Sequence, residues 1–211
     1  MDRKEERGKH GIPDLDIPLF HHRGGENGSG KSTFSSITAG AQPGDGGEFT
    51  LKGEPYSPKN MTDAQNKGIG MIVQEQGTIG TITVAANIFA GRLEENAKMG
   101  FVSMRGITSR AQEILNSIGA GDIPASALTY TLNFEDRKIV EIARVMVSNP
   151  DILIVDETTT ALAAKGRKIL YDLIEKFKSE NKAVIFISHD LDELKRVCNI
   201  VTILRDGEII Q

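Results

Sequence analysis

A single cysteine, no tryptophan and an aromatic share of 5% are what these 211 residues hold least of. One cysteine, Cys198, rules out an internal disulfide. Its simplest reading is a small buried hydrophobe in a protein of the reducing cytosol. No apolar run approaches the roughly 18 residues of a membrane-spanning helix, so any spans this protein works with belong to another chain. The charged N-terminus has no apolar segment behind it and does not read as a secretory signal. A formal net charge of −4 argues against a general affinity for nucleic acid or anionic lipid, and no nucleic-acid partner is expected. His10, His21 and His22 lack cysteine or acidic neighbours at metal-ligand spacing, which excludes a structural zinc. Internal repeats and low-complexity tracts are also missing.

What is there alternates between strand and helix patterns. Residues 1–24 form an irregular opening. "MDRKEERGKHGIPDLD" shows neither period, and "IPLFHH" is at best a short strand weakened by Pro18. A helix is expected over 31–39, then an exposed hairpin strand in "GEFTLKGEPY". "GIGMIVQE" (68–75), "DILIVDE" and "AVIFISHD" are apolar runs ending in polar groups, the pattern of buried parallel strands. Ser109 and Gln112 read as a capping box for a helix whose inner face is Ala111, Ile114, Leu115 and Ile118, stopping near Gly119 or Gly121. A second helix is expected over 133–148, with Ile139, Ile142, Ala143 and Met146 inward. Leu170, Leu173, Ile174 and Phe177 mark a third. "IVTILRDGEII" reads as a hairpin around Asp206 and Gly207. The sum is an α/β fold with a mainly parallel sheet.

The chemistry gathers at the ends of those strands. "GENGSGKS" (25–32) matches the phosphate-loop pattern G-x-x-x-x-G-K-[ST] at every fixed position. Gly25, Gly28 and Gly30 let the backbone curl so that N–H groups face phosphate oxygens. Asn27, Ser29 and Thr33 complete the nucleotide-contacting set. Lys31 reaches the β- and γ-phosphates, and Ser32 is suited to ligate Mg²⁺. In "ILIVDE", Asp156 is expected to hold Mg²⁺ through water and Glu157 to act as general base on the attacking water. His189, in "FISHD", ends another strand and is expected to face the γ-phosphate. Gln74, in "MIVQEQ", ends a third strand with a neutral amide suited to Mg²⁺ or to the water.

With these four motifs in this order, residues 24–211 resemble the ATP-binding cassette of ABC transporters. "GENGSGKST", "GTITVAANIFAGR" (80–92) and "VEIAR" (140–144) resemble in particular the cassettes that energise bacterial sugar importers of the ribose and galactoside kind. The resemblance implies a P-loop NTPase core over 25–211, with a small helical subdomain inserted at about 77–132. It implies ATP and Mg²⁺ as cofactors and ATP hydrolysis as the activity. It implies transmembrane permease subunits as partners, indirectly a periplasmic sugar-binding protein, and a peripheral position on the cytoplasmic face of the membrane. In that family two cassettes pair head to tail, each ATP lying between one phosphate loop and the other cassette's signature motif.

Three departures qualify the resemblance. The signature, usually Leu-Ser-Gly-Gly-Gln, reads "LNFED" (132–136). Phe134 adds bulk, Glu135 and Asp136 bring carboxylates toward a phosphate position, and Asn133 with Asp136 looks like a self-satisfied helix cap. The ATP site that needs this motif is expected to be weak. The site on this chain's own loop borrows its signature from a partner, so a second cassette, heteromeric or on the same natural chain, is expected. Ala163 stands where the family usually has Asp. Only 24 residues precede Gly25, and Phe20 is their sole aromatic, so the antiparallel strand region and adenine platform are expected to be incomplete. The alternatives are a soluble cassette acting on ribosomes or DNA, and a nucleotide-binding cassette that regulates or has degenerated without hydrolysing.

Overall fold

The three apolar runs become one parallel sheet. The computed structural model describes residues 30–73, 77–93, 97–98, 101–202, 204–205 and 208–209. β3 (Ile69–Ile72), β6 (Ile152–Asp156) and β7 (Ala183–Ile187) lie side by side in the order β3-β6-β7, parallel throughout. All five residues of β6 are buried. Its alternation sorts them onto two faces. Leu153 and Val155 enter a large cluster with Ile139, Ile142, Leu170, Leu173 and Phe177, while Ile152 and Ile154 meet Leu51, Tyr56, Ala64 and Ile69. Each such side chain contributes about 1.5–3 kcal/mol by burial.

The remaining elements wrap this sheet. α1 (Lys31–Thr38) leads to a hairpin of β1 (Thr50–Leu51) and β2 (Glu54–Pro55), then α2 (Met61–Asn66). Lys52 and Gly53 both have positive φ, 55° and 79°, the twist a two-residue hairpin loop demands. α3 (Val84–Ile88), the hairpin β4 (Ala97–Lys98) with β5 (Phe101–Val102), and α4 (Met104–Ser117) fill the stretch after β3. α5 (Phe134–Met146) runs into β6, and α6 (Ala164–Ser179) connects β6 to β7. α7 (Leu191–Val197) and the pair β8 (Leu204–Arg205) with β9 (Glu208–Ile209) complete the order, so strands do flank Asp206 and Gly207. Gly70 has a packing reason: a Cβ there would sit 2.6 Å from Val145 Cγ1 and 2.9 Å from Pro150 Cγ.

Two sequence expectations are corrected. The helix expected to be capped by Ser109 is capped six residues earlier by Ser103, whose Oγ accepts the Gly106 N–H at 3.2 Å. Gly106 breaks the apolar pattern in the first turn and hides the true start. Ser109 bonds Glu113 within the helix, and Gln112 accepts from Ala125 N at 2.9 Å, stitching α4 to the following loop. The β4–β5 hairpin was not anticipated, because it falls in a stretch that read as helical. Cys198 is half-buried against the main cluster. Burial pushes its thiol up, which agrees with a structural cysteine.

Candidate functional site

In an open parallel sheet, ligands bind where the strands end. The register pairs Ile72 with Val155 and Asp156 with Ile187, so Val73, Asp156–Glu157 and Ser188–His189 all emerge at one edge. α1 starts at the same edge. Gly30 caps it with φ 83°, a left-handed conformation natural to glycine, and Lys31, Ser32 and Thr33 form its first turn. Gly25, Asn27, Gly28, Ser29 and Gln74 lie outside the described residues, as do Phe20, His21 and His22.

Asp156 is 8% exposed. Its Oδ2 accepts a hydrogen bond from Ser35 Oγ at 2.8 Å. That hydroxyl also lies 3.0 Å from Ser32 O, one turn earlier, and its one proton cannot serve both acceptors fully. No Lys or Arg forms an ion pair with Asp156 among the described residues. A buried carboxylate with a single neutral donor among the described residues is under-compensated. A hydrated divalent cation between Ser32 and Asp156 fits that deficit. Ser35 escaped the sequence reading; its signal was a small hydroxyl residue three positions after Ser32, on the helix face turned to β6.

Glu157 adopts φ 44°, ψ 27°, a strained conformation for a residue with a side chain, worth about 1–3 kcal/mol. Its N–H donates to Ile187 O at 3.0 Å, and its carbonyl accepts from Thr160 Oγ1 at 3.0 Å. The strain turns its carboxylate toward His189, whose Nδ1 lies 3.8 Å from Glu157 Oε1. This is too long for a hydrogen bond. His189 is 69% and Glu157 29% exposed at the side chain, so both groups face a space open to solvent.

Val73 and Gly77 are both held from α5. Lys138 of α5, fully buried, donates to Val73 O and to Glu141 Oε2 at 2.8 Å. Glu141 Oε1 accepts from Gly77 N at 2.6 Å, and Arg144 Nη1 donates to Gly77 O at 2.9 Å. Arg144 Nε also donates to Asn87 O at 2.8 Å, at the end of α3. Burial lowers the Arg144 guanidinium, and the Glu141 charge opposes that shift. Residues at i, i+3 and i+6 of one helix thus hold the backbone on both sides of residues 74–76. The sequence reading treated 133–148 as an apolar-faced helix and missed this polar ladder.

Three polar residues of the stretch 132–136 bond within their own chain. Asn133 Oδ1 accepts from Asp136 N at 2.8 Å, the cap the sequence suggested. Glu135 Oε1 accepts from Gly166 N at 2.7 Å. Ala163 precedes α6 and cannot cap it with a side chain, so Glu135 supplies the negative group its N-terminus favours. Asp136 meets Asn133 Nδ2 at 2.9 Å and Lys165 Nζ at 3.2 Å, and Lys165 also reaches Asp122 at 2.6 Å. Burial alone would lower the Lys165 ammonium; the two carboxylates more than offset it, and the net shift is upward. Phe134 is left 57% exposed.

Known proteins resemble this arrangement in sequence and in shape. The profile of the ABC transporter family matches residues 24–160. The ribose import ATP-binding protein of Yersinia pestis is 38% identical over 200 residues, covering 93% of this chain and 39% of that protein. The arabinose import ATP-binding protein of Rhizobium meliloti is 35% identical over 185 residues, covering 88% of this chain and 36% of that protein. This chain therefore spans well under half the length of these relatives. Among solved structures, a nucleotide-free ATP-binding cassette from an ABC transporter aligns with a TM-score of 0.73 at 21% identity, over 88% of this chain and 76% of that one. The cbiO1 protein of Clostridium perfringens, part of the ABC transporter complex cbiONQ, aligns at 0.69 with 27% identity, over 89% and 73%.

Proposed function

The chain belongs to the ABC transporter family, and from that premise we propose that it binds and hydrolyses ATP to energise sugar import through a membrane permease. The observation that carries the reading is the buried, singly bonded Asp156 beside the start of α1, next to a strained Glu157 that faces His189. The likeness to ribose and arabinose import proteins supports a sugar, a pentose first, as the cargo.

In this reading Gly25, Asn27, Gly28, Ser29, Gly30, Lys31, Ser32 and Thr33 hold the phosphates. Ser32, Gln74 and Asp156 would hold Mg²⁺, which would supply neutralisation of the phosphate charge. Glu157 accepts the proton of the attacking water, and His189 steadies the γ-phosphate side of that space. Residues 77–132 act as the helical subdomain. The partners are permease subunits and a second cassette, with a periplasmic sugar-binding protein acting through the permease. The protein then works at the cytoplasmic face of the membrane. No helix among the described residues is long and apolar enough to cross one.

The test is co-purification of the full chain with a sugar-importer permease, followed by phosphate release in vesicles. Turnover that rises when a sugar-loaded binding protein is added supports the proposal. Assembly with intact partners and no ATP turnover would leave the regulatory reading instead.

A further inference from the structure

Glu193 lies outside the motifs discussed so far, yet its carboxylate gathers hydroxyls from three separate elements. Tyr171 OH of α6 donates to Oε1 at 2.6 Å. Thr159 Oγ1 and Ser188 Oγ both donate to Oε2, each at 3.0 Å. Thr159 is two residues past Glu157, and Ser188 immediately precedes His189. Ser188 Oγ in turn accepts from Asp190 N at 3.0 Å, and Asp190 Oδ1 accepts from Asp192 N and Glu193 N at the start of α7. One oxygen therefore clamps the loop carrying Glu157 to the loop carrying His189.

We infer that Glu193 is a positioning residue for the Glu157–His189 pair. It touches neither group. It fixes the spacing of their two loops, while Tyr171 anchors it to the long helix behind. This clamp matters because Nδ1 and Oε1 stand 3.8 Å apart in a solvent-open space, too far to hold each other by a hydrogen bond. A misplacement on the order of 1 Å in such a pair costs up to about a hundredfold in rate. The idea rests on the hydrolytic reading above for its kinetic consequence, and on geometry alone for the clamp.

Hydrogen bonds to a carboxylate are stronger than those to an amide, but Gln can keep an acceptor toward Thr159 and Ser188 while its NH₂ faces Tyr171. The experiment compares Glu193→Ala, Glu193→Gln, Thr159→Val and Tyr171→Phe in the full chain. Amide hydrogen exchange without nucleotide is the first readout. Glu193→Ala and Thr159→Val should speed exchange at the amides of Glu157, Leu162 and Asp190, and Glu193→Gln should restore most of the protection. ATP turnover in the assembled transporter is the second. Glu193→Ala should lower kcat about ten- to a hundredfold with KM for ATP little changed, while Tyr171→Phe keeps kcat and loses only thermal stability. Unchanged exchange in Glu193→Ala would overturn the clamp whatever the catalytic outcome. Exchange that rises with kcat intact would overturn the positioning role. Absence of turnover in the parent refutes the hydrolytic reading and leaves the exchange result to decide the clamp.

Discussion

Lys138→Met tests the buried ladder that holds Val73 and Gly77, and the structure sets the scale of its effect. Lys138 is wholly buried and its Nζ lies 2.8 Å from Glu141 Oε2. At an effective dielectric of about 20, unit charges at that distance attract by about 6 kcal/mol, much of which desolvation cancels. Removing one partner leaves the other buried and uncompensated, which costs about 3–5 kcal/mol. Val73 O loses a donor as well. For a domain of this size that is a fall in Tm of about 6–20 °C. Glu141→Gln alone keeps an acceptor for Gly77 N but strands the ammonium. The double variant carries neither charge, so it should be less destabilised than the sum of the singles by about 1–3 kcal/mol. Urea unfolding of the four proteins, with constant m values, gives the coupling directly. Additivity within about 0.5 kcal/mol would refute the claim that the pair acts as a unit.

Ser35→Ala should destabilise the chain by about 1.5–3 kcal/mol, the worth of a hydrogen bond to a charged group, and calorimetry with and without Mg²⁺ should show part of the loss recovered by the cation. Lys31→Ala should weaken nucleotide binding itself, read by titration calorimetry, since the charge on the β- and γ-phosphates is gone. Tyr171 has its phenol pushed up from 10.0 to about 12, by burial first and then by its bond to Glu193. The stability it contributes is whole below pH 10.0 and is lost as pH rises through about 12, and Tyr171→Phe should flatten that limb of a denaturation–pH profile. With Asn133, Glu135 and Asp136 bound to their own chain, the isolated chain should stay monomeric in MgATP. Sedimentation showing tight symmetric dimers would contradict that.

The strand ends were legible because apolar runs finishing in Asp156, Glu157 and His189 carry a period and a chemical group together. The cap at Asn133 was legible for the same reason: its side chain and its spacing to Asp136 are local. What escaped needed tertiary contact. Ser35, Lys138 and Glu193 are ordinary polar residues in helical patterns until β6, Val73 and Ser188 are set against them. Glu135 has a tertiary partner that its local sequence does not show. Its carboxylate accepts from Gly166 N, beside the N-terminus of α6 that Ala163 leaves without a side-chain cap. Gly106 masked the start of α4, since nothing local distinguishes a helix beginning at Ser103 from one beginning at Ser109.

Glu157 is the residue on which ATP cleavage turns in the proposed mechanism. Assembled with its permease, the parent and Glu157→Gln proteins should be given saturating labelled MgATP, and bound and cleaved nucleotide measured together. Binding is predicted to be alike in both, and cleavage slower in the variant by about two to four orders of magnitude, the range for loss of a general base. Equal cleavage in the two proteins, or a parent that binds no nucleotide, contradicts the account.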